Sequence, residues 1–245
     1  EAATLTHDEH KEVIEFTLEV VNHRVPVIAG TGSNSTSEAL GLTRFAEKVH
    51  CDGALIITPY YNKPTQNGLY IHYKKIAEDV NIPIILYNVP SRTGISILPE
   101  TVAKLSEIKN IVGIKEASGS LDQVSKIISL CPDDFVLLSG DDSLTLPIMS
   151  VGGKGVISVA ANIMPAQVKE MVQSSLSNNW QQAQKIHIHL FYMFKALFIE
   201  TNPIPVKTCL YLMKMIDLEL RLPLTPPSEE NKNKLEGILK KYCLI

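Results

Sequence analysis

The chain has 245 residues, of which 45% are hydrophobic and 20% are charged, and its formal net charge at pH 7 is −3. This composition excludes general disorder and is typical of a globular protein with a sizeable core, in one large domain or two small ones. The slightly negative charge argues against a nucleic-acid partner. No apolar run reaches the length of about 18 residues that a transmembrane helix needs, so no membrane span is predicted.

The cysteine and histidine residues indicate neither a disulfide framework nor a metal centre. The four cysteines lie far apart and form no C-x-x-C pair, which favours a reducing, cytoplasmic location. His7 and His10 share one face of a predicted helix, but no third ligand of the zinc type is near them in the sequence. We therefore expect no metal site.

The dominant pattern along the chain is a short apolar run followed by a turn and an amphipathic helix. Such runs, rich in Val, Ile and Leu without polar alternation, are typical of parallel strands buried on both faces. Their repetition predicts βαβ units with right-handed crossovers. The predicted strands are residues 25–29, 54–58, 82–87, 111–117, 135–139 and 155–160. The predicted helices among them are residues 7–21, 35–50, 66–79, 99–106, 121–130 and 142–151.

Two architectures fit this repetition: an open doubly wound sheet and a closed (β/α)8 barrel. A doubly wound nucleotide-binding fold needs a glycine fingerprint after its first strand, and residues 30–35 carry only the first two glycines of G-x-G-x-x-G. The barrel fits better, but it needs eight strands. Because six runs are visible and the first predicted element is a helix, we expect a TIM barrel that lacks its first two strands in this chain.

The last part of the chain is predicted to be helical only. After Asn162 no strand-like run returns, and helices are predicted at residues 165–177, 180–198, 203–215 and 229–242. We expect residues 1–178 to form the barrel portion and residues 179–245 to form a C-terminal helical domain. The strongly apolar segment 190–194 fits either a core or a subunit interface.

Lys115 stands inside an apolar predicted strand. Lysine is almost never fully buried without a partner. Desolvation disfavours its charged form, and the uncharged amine is the form that attacks a carbonyl group. A Schiff-base role is therefore one reading of Lys115, and a structural ion pair with a carboxylate on a neighbouring strand is the other.

Tyrosines and an arginine follow two other predicted strands, at the barrel end where the chemistry of such folds takes place. Tyr87 ends the third strand, and a phenol can relay protons. Arg92 stands in the next loop, where a guanidinium can bind a carboxylate through two parallel hydrogen bonds. A core tyrosine and a surface ion pair are the alternatives. Tyr60 and Tyr61, after the second strand, point opposite ways and cannot share one role.

Six motifs carry a resemblance that covers the whole chain. They are TPYYNKP (58–64), ILYNVPSRTG (85–94), GIKEASG (113–119), LLSGDD (137–142), GVISVAAN (155–162) and TNPIPVK (201–207). In this order and spacing the sequence resembles the dihydrodipicolinate synthase family, which are pyruvate-dependent class I aldolase-like lyases with a (β/α)8 barrel and a C-terminal helical extension. The resemblance implies condensation of pyruvate with L-aspartate 4-semialdehyde to 4-hydroxy-tetrahydrodipicolinate, in the diaminopimelate route to lysine. It implies a covalent imine and no bound cofactor.

The resemblance also implies roles for individual residues. Lys115 matches the lysine that forms the imine with pyruvate, and Tyr87 matches the tyrosine that shuttles protons. Tyr61 matches a tyrosine that a neighbouring subunit contributes to this relay, so a homo-oligomer, a dimer of dimers, is expected. Arg92 matches the arginine that binds the carboxylate of aspartate semialdehyde. The positions whose backbone lines the site are Gly140 and Ile157.

A second site follows from the resemblance, because lysine-inhibited members bind lysine at a dimer interface. A carboxylate at Glu38 can pair with the ammonium group of the ligand, and Asn34 and Tyr60 can hold its polar ends. Ala2 departs from the serine of similar members, and an ordinary polar interface is the alternative. The matching positions are Ala2, Ala3, His7, His10, Gly32, Asn34, Glu38 and Tyr60.

Three further expectations concern the start of the chain and the competing functions. Glu1 matches the end of a Thr-Thr-Gly-Glu stretch of the family, so the relay threonine is expected to lie outside this sequence. Another pyruvate aldolase, such as an N-acetylneuraminate lyase or a keto-deoxy-sugar-acid aldolase, uses the same lysine and tyrosine. Arg92 and the paired tyrosines favour the synthase. A non-catalytic, truncated subunit that binds lysine is the remaining alternative.

Overall fold

Six strands form one sheet, and their order in the sheet is their order in the chain. The computed structural model describes residues 1–245, and the pairs from β1 to β5 are all parallel. Helices make the crossover connections that parallel neighbours require, so the predicted α/β class is confirmed. The strands are β1 (Ile28–Gly30), β2 (Gly53–Ile57), β3 (Ile84–Asn88), β4 (Ile111–Glu116), β5 (Val136–Ser139) and β6 (Gly155–Val156).

Several helices begin with a capping side chain. Thr6 and Glu9 form a capping box at the start of α1, and the side chains of Thr65 and Ser120 cap α3 and α6. The helices are α1 (His7–Val21), α2 (Thr36–Lys48), α3 (Gln66–Ala77), α4 (Pro90–Thr93), α5 (Pro99–Ser106), α6 (Leu121–Leu130), α7 (Thr145–Ser150), α8 (Pro165–Leu176), α9 (Trp180–Ala196), α10 (Ile204–Leu212) and α11 (Glu229–Lys241). None combines the length and apolar composition that a membrane span requires.

The chain divides into two units. One, here called the sheet unit, consists of Thr6–Asp141 and Pro147–Gly155. Side chains on its strands and helices, among them Ile56, Tyr73 and Ile114, are completely buried. Because parallel strands covered by helices are buried on both faces, these strands carry continuous apolar runs rather than an alternating pattern.

The other unit, here called the helical unit, consists of Glu1–Leu5, Asp142–Leu146 and Val156–Ile245. Its core is one hydrophobic cluster to which α8, α9, α10 and α11 all contribute buried residues. The predicted boundary after residue 178 stays a prediction, as does the pair of strands expected before β1.

Two strands lose more than one residue of length relative to the sequence prediction. The run 25–29 becomes β1 only from Ile28, because Pro26 has no N–H to donate and the Val27 N–H goes to the Asp52 carboxylate. The run 155–160 keeps only Gly155–Val156 as strand. Beyond it, the buried Asp142 carboxylate accepts the hydroxyl of Ser158 and the N–H groups of residues 159 and 160. These bonds draw the backbone into the 3-10 turn Ala160–Asn162.

His72 makes the sheet unit sensitive to acid. Its side chain is buried on α3, with Nδ1 2.9 Å from Thr36 Oγ1 and with no hydrogen-bond partner at Nε2. Burial lowers the pKa of His72 to about 4. The unfolded chain therefore binds a proton that the folded chain excludes. The contribution of His72 to stability is complete above about pH 6.5 and is lost progressively toward about pH 4.

We expect His72→Asn to remove a large part of this acid sensitivity. In the unaltered chain, this histidine alone lowers the free energy of unfolding by on the order of 3 kcal/mol between pH 6.5 and pH 4. Urea unfolding followed by circular dichroism over this range measures the effect, with the exposed His23→Asn as the matched control. Equal pH slopes for His72→Asn and the unaltered chain would contradict this account.

Candidate active site

Lys115 and Tyr87 face each other across two neighbouring strands. In the parallel register of β3 with β4, Tyr87 pairs with Lys115 and Asn88 pairs with Glu116. The Lys115 Nζ lies 4.0 Å from the centroid of the Tyr87 ring, within the range of a cation–π contact. Both side chains are half-buried. Strand pairing, rather than a loop, therefore holds the amine against the phenol ring.

The surroundings of Tyr87 keep its phenol protonated. Burial raises the pKa of Tyr87, and the charge of Arg92 offsets a part of this shift. Arg92 is exposed on α4, a short helix that begins at Pro90 and ends at Thr93. Gly94 follows it with a φ of 71°, which suits glycine. The sequence prediction placed Arg92 in a loop, and α4 was missed. The lysine and the tyrosine are thus brought together near the ends of β3 and β4, and the charge of Arg92 acts on the same tyrosine.

Gly140 lies directly against the lysine side chain. A Cβ atom at this position would lie 2.6 Å from the Cβ of Ala117 and 3.1 Å from the Cε of Lys115. The Gly140 N–H donates to the backbone oxygen of Glu116 over 2.8 Å, which continues the pairing of β5 with β4. A residue without a side chain is therefore needed here if Lys115 is to keep its position.

This arrangement has the parts that carbonyl chemistry through a covalent intermediate requires. A primary amine can attack a carbonyl carbon, and a neighbouring protonated phenol can donate to the oxygen that leaves. A guanidinium nearby can bind a carboxylate on the reacting molecule. No group of His, Cys, Asp and Glu side chains in the structure is suited to hold a metal ion.

Comparison with known proteins identifies the family. The model of the dihydrodipicolinate synthetase family matches residues 1–242. The chain belongs to this family. A 4-hydroxy-tetrahydrodipicolinate synthase of Sulfurihydrogenibium sp. (strain YO3AOP1) is 55% identical over 247 residues, a match that covers 100% of this chain and 84% of the relative.

Two solved structures of dihydrodipicolinate synthases are similar to the chain along its whole length. The enzyme from Acinetobacter baumannii, complexed with pyruvate, has a TM-score of 0.98 and 46% identity, over 100% of this chain and 84% of that one. The enzyme from Cyanidioschyzon merolae, with lysine bound, has a TM-score of 0.96 and 40% identity, over 99% of this chain and 83% of that one.

The family resemblance links two further residues to the site, Tyr61 and Ile157. Tyr61 is 90% exposed, in the segment after β2, with a φ of 68°. Its predicted role in a neighbouring subunit stays a prediction. Ile157 is half-buried in the helical unit, next to β6.

Most of the positions predicted to bind lysine lie near one segment of the sheet unit, residues 30–34. The His10 Nε2 is 2.9 Å from the backbone oxygen of Gly30, and the His7 Nε2 is 4.0 Å from Glu38 Oε1. The backbone oxygen of Asn34 accepts a hydrogen bond from the Asn62 side chain. Two more of these positions are Gly32, which is half-buried, and Tyr60, which is 37% exposed. The last two, Ala2 and Ala3, are exposed and belong to the helical unit.

Sequence reasoning missed two polar features beside these sites. Ser33 is buried and donates to Glu38 Oε2 over 2.7 Å, so it orients the carboxylate at the predicted lysine site. Glu116, the neighbour of Lys115, is 1% exposed and bound to Asn88 and Gln123. Its position in an apolar strand, where a carboxylate is rarely found unpaired, was a signal that could have identified it.

We expect Gly140→Ala to destabilise the sheet unit and to displace the lysine side chain. Overpacking of this kind costs about 1–3 kcal/mol of unfolding free energy. The exposed Gly41 on α2 provides a matched glycine-to-alanine control, because no atom lies within 4 Å of the added Cβ. Gly41→Ala is expected to stabilise the chain by about 0.5–1 kcal/mol. Urea unfolding measures both, and equal midpoints for the two variants would contradict the close packing described here.

Proposed function

We propose that the chain condenses pyruvate with L-aspartate 4-semialdehyde through an imine on Lys115, and forms 4-hydroxy-tetrahydrodipicolinate. One observation carries this proposal: the Lys115 Nζ lies 4.0 Å from the ring centroid of Tyr87, whose pKa is raised by burial. A nucleophilic amine and a protonated phenol are thus held side by side. The curated relatives that share the whole chain are 4-hydroxy-tetrahydrodipicolinate synthases, which supports the same reaction for this chain.

The first step forms the imine. The uncharged amine of Lys115 attacks C2 of pyruvate, and a carbon–nitrogen bond forms while the keto oxygen takes up a proton. The Tyr87 phenol protonates the hydroxyl of this carbinolamine, which leaves as water. The backbone at Gly140 lines the position of the bound pyruvate in this proposal, and the role that the resemblance implies for Ile157 stays a prediction.

The second step forms the carbon–carbon bond. The iminium makes the pyruvate methyl group acidic, and loss of one proton gives an enamine. The enamine carbon attacks the aldehyde carbon of aspartate semialdehyde, and the aldehyde oxygen takes up a proton to become a hydroxyl. Arg92 binds the carboxylate of this second substrate and so orients the aldehyde toward the enamine.

The last step closes the ring and frees the enzyme. The amino group of the former aspartate semialdehyde attacks the imine carbon, a new carbon–nitrogen bond forms, and the bond to Lys115 breaks. The lysine amine leaves with the proton that the attacking amine gives up, transferred through Tyr87. Tyr61 contributes to this proton relay from a second subunit, which requires a homo-oligomer, and a dimer of dimers in the cytoplasm is the proposed form.

Two further parts of the proposal concern regulation and architecture. Lysine binds near Glu38 and His7 as a feedback inhibitor, and the lysine-bound structure of a family member supports this assignment.

The six-stranded sheet is part of an eight-stranded barrel. The barrel portion spans residues 1–178, and the C-terminal helical domain spans residues 179–245. Imine chemistry on a lysine side chain needs no bound cofactor.

Reduction with borohydride tests the covalent step. Incubation with pyruvate and borohydride is expected to leave one reduced pyruvate adduct, which peptide mass mapping locates on Lys115. Lys115→Arg removes the nucleophile and keeps the charge, so this variant is expected to give no adduct. Lys109→Arg changes an exposed lysine just before β4 and is expected to react normally. An adduct on another lysine, or none, would refute the proposal.

Product formation distinguishes the synthase from the other aldolases. With pyruvate present, we expect turnover of aspartate semialdehyde and none of N-acetylmannosamine or of short sugar aldehydes. The opposite preference would assign the chain to a sugar-acid aldolase. Calorimetric heat of lysine binding without any turnover would instead support a non-catalytic subunit.

A further inference from the structure

A buried carboxylate lies one residue from Lys115, on the other face of the sheet. Because side chains alternate along a strand, the register pair that follows Tyr87 and Lys115 points away from them. That pair is Asn88 and Glu116, which are 0% and 1% exposed. The Asn88 Nδ2 lies 3.0 Å from Glu116 Oε2 and 3.3 Å from Oε1.

Uncharged amide groups donate all the hydrogen bonds that the structure shows to this carboxylate. Gln123 Nε2 on α6 donates to Oε2 over 3.0 Å, and the Ser118 N–H donates to Oε1 over 2.6 Å. Together with the Asn88 amide, these groups come from β3, from the loop after β4 and from α6. We call the side chains of Asn88, Glu116 and Gln123 the Glu116 cluster.

The Glu116 cluster also holds the segment that follows the helix of Arg92. Asn88 Oδ1 accepts the Ile97 N–H over 3.1 Å, and Asn88 Nδ2 donates to Ser96 Oγ over 3.1 Å. Gln123 Nε2 lies 3.2 Å from the Ile97 oxygen. The buried Asn88 and Glu116 and the half-buried Gln123 therefore fix the ends of β3 and β4 together with the loops that follow them.

Stability alone is a weak reason for such a cluster. A buried charged group loses its hydration, and replacing buried ionic groups by well-packed apolar ones is often neutral or stabilising. A fully satisfied polar network instead specifies one geometry, because each donor and acceptor has a fixed direction. Here the specified geometry is that of the strand ends that carry Tyr87 and Lys115.

We propose that Glu116 is a positioning residue for the reaction of Lys115. Its carboxylate holds the ends of β3 and β4 together on one face of the sheet, so that the amine stays over the Tyr87 ring on the opposite face. Its backbone oxygen also accepts the Gly140 N–H, which adds the end of β5 to the same arrangement. This inference rests on the proposed imine function of Lys115.

Glu116→Gln tests the inference with almost no change in shape. The nitrogen of the new amide is a hydrogen-bond donor. In one orientation it faces the Ser118 N–H, and in the other it faces the Asn88 and Gln123 amide nitrogens. Because a donor then faces a donor, at least one hydrogen bond is lost in either orientation. We expect the maximal rate of imine trapping by borohydride to fall about 10- to 100-fold, since a displacement near 1 Å has such an effect. The pyruvate concentration at half-maximal trapping is expected to stay the same, because Glu116 does not face the reacting molecule.

Asn110→Ala is the matched control for general destabilisation. Asn110 lies just before β4, at its other end, where its Nδ2 donates to the backbone oxygens of Ala77 and Val80 over 3.0 and 2.9 Å. Its loss is expected to lower the unfolding free energy while the maximal trapping rate stays near that of the unaltered chain. An equal fall of the trapping rate in this control would reduce Glu116 to a merely structural role and overturn the inference.

Exchanging the amide and the carboxylate between positions 88 and 116 tests whether their mutual hydrogen bond, rather than overall stability, sustains the trapping rate. Asn88→Asp alone puts two carboxylates about where the 3.0 Å hydrogen bond now lies and is expected to abolish trapping. Combined with Glu116→Gln, it restores one carboxylate and one amide, and the double variant is expected to recover a part of the lost rate. Gln123→Ala, which removes one donor and keeps the carboxylate, is expected to show a smaller fall in the same direction.

The outcomes distinguish this inference from the proposed function. If the unaltered chain gives no adduct on Lys115, both are overturned. If the unaltered chain is trapped and folded Glu116→Gln is trapped at the same maximal rate, the positioning role alone is overturned. Should Glu116→Gln not fold, Gln123→Ala decides in its place, and an unchanged rate there overturns the inference.

Discussion

The parallel register of β3 against β4 is the constraint on which the rest of the site depends. It places Tyr87 opposite Lys115, and a shift by one residue would turn the tyrosine to the other face of the sheet. The flanking apolar residues set this register, because Leu86 and Ile114 must both be buried. The same packing that stabilises the sheet thus fixes the distance between the amine and the phenol ring.

The site contains several polar groups that an apolar sheet would exclude. Lys115 and Tyr87 are half-buried, and Glu116 is almost completely buried at the end of an otherwise hydrophobic strand. Each loses hydration on folding, so the chain gives up stability where the proposed chemistry takes place. Gly140 is a further position at which the chain gives up stability, because a glycine leaves room for the Lys115 side chain and contributes no side-chain packing of its own.

The sequence predicted the repeating strands and helices, because local patterns determine them. Continuous apolar runs located the strands, and motifs around Lys115, Tyr87 and Arg92 indicated imine chemistry. The shortening of β6 could not be predicted, because the Asp142 carboxylate that binds residues 158–160 comes from a distant part of the chain. The contact of Glu116 with Asn88 was missed for the same reason: Asn88 lies 28 positions away, and only the sheet register brings the two together.

A crystal structure of the chain after soaking with pyruvate tests the central claim most directly. The account predicts continuous electron density from the Lys115 Nζ to C2 of the pyruvate, with the Tyr87 hydroxyl within hydrogen-bonding distance of the imine region. Pyruvate bound without a covalent link, or density attached to a different lysine, would contradict it.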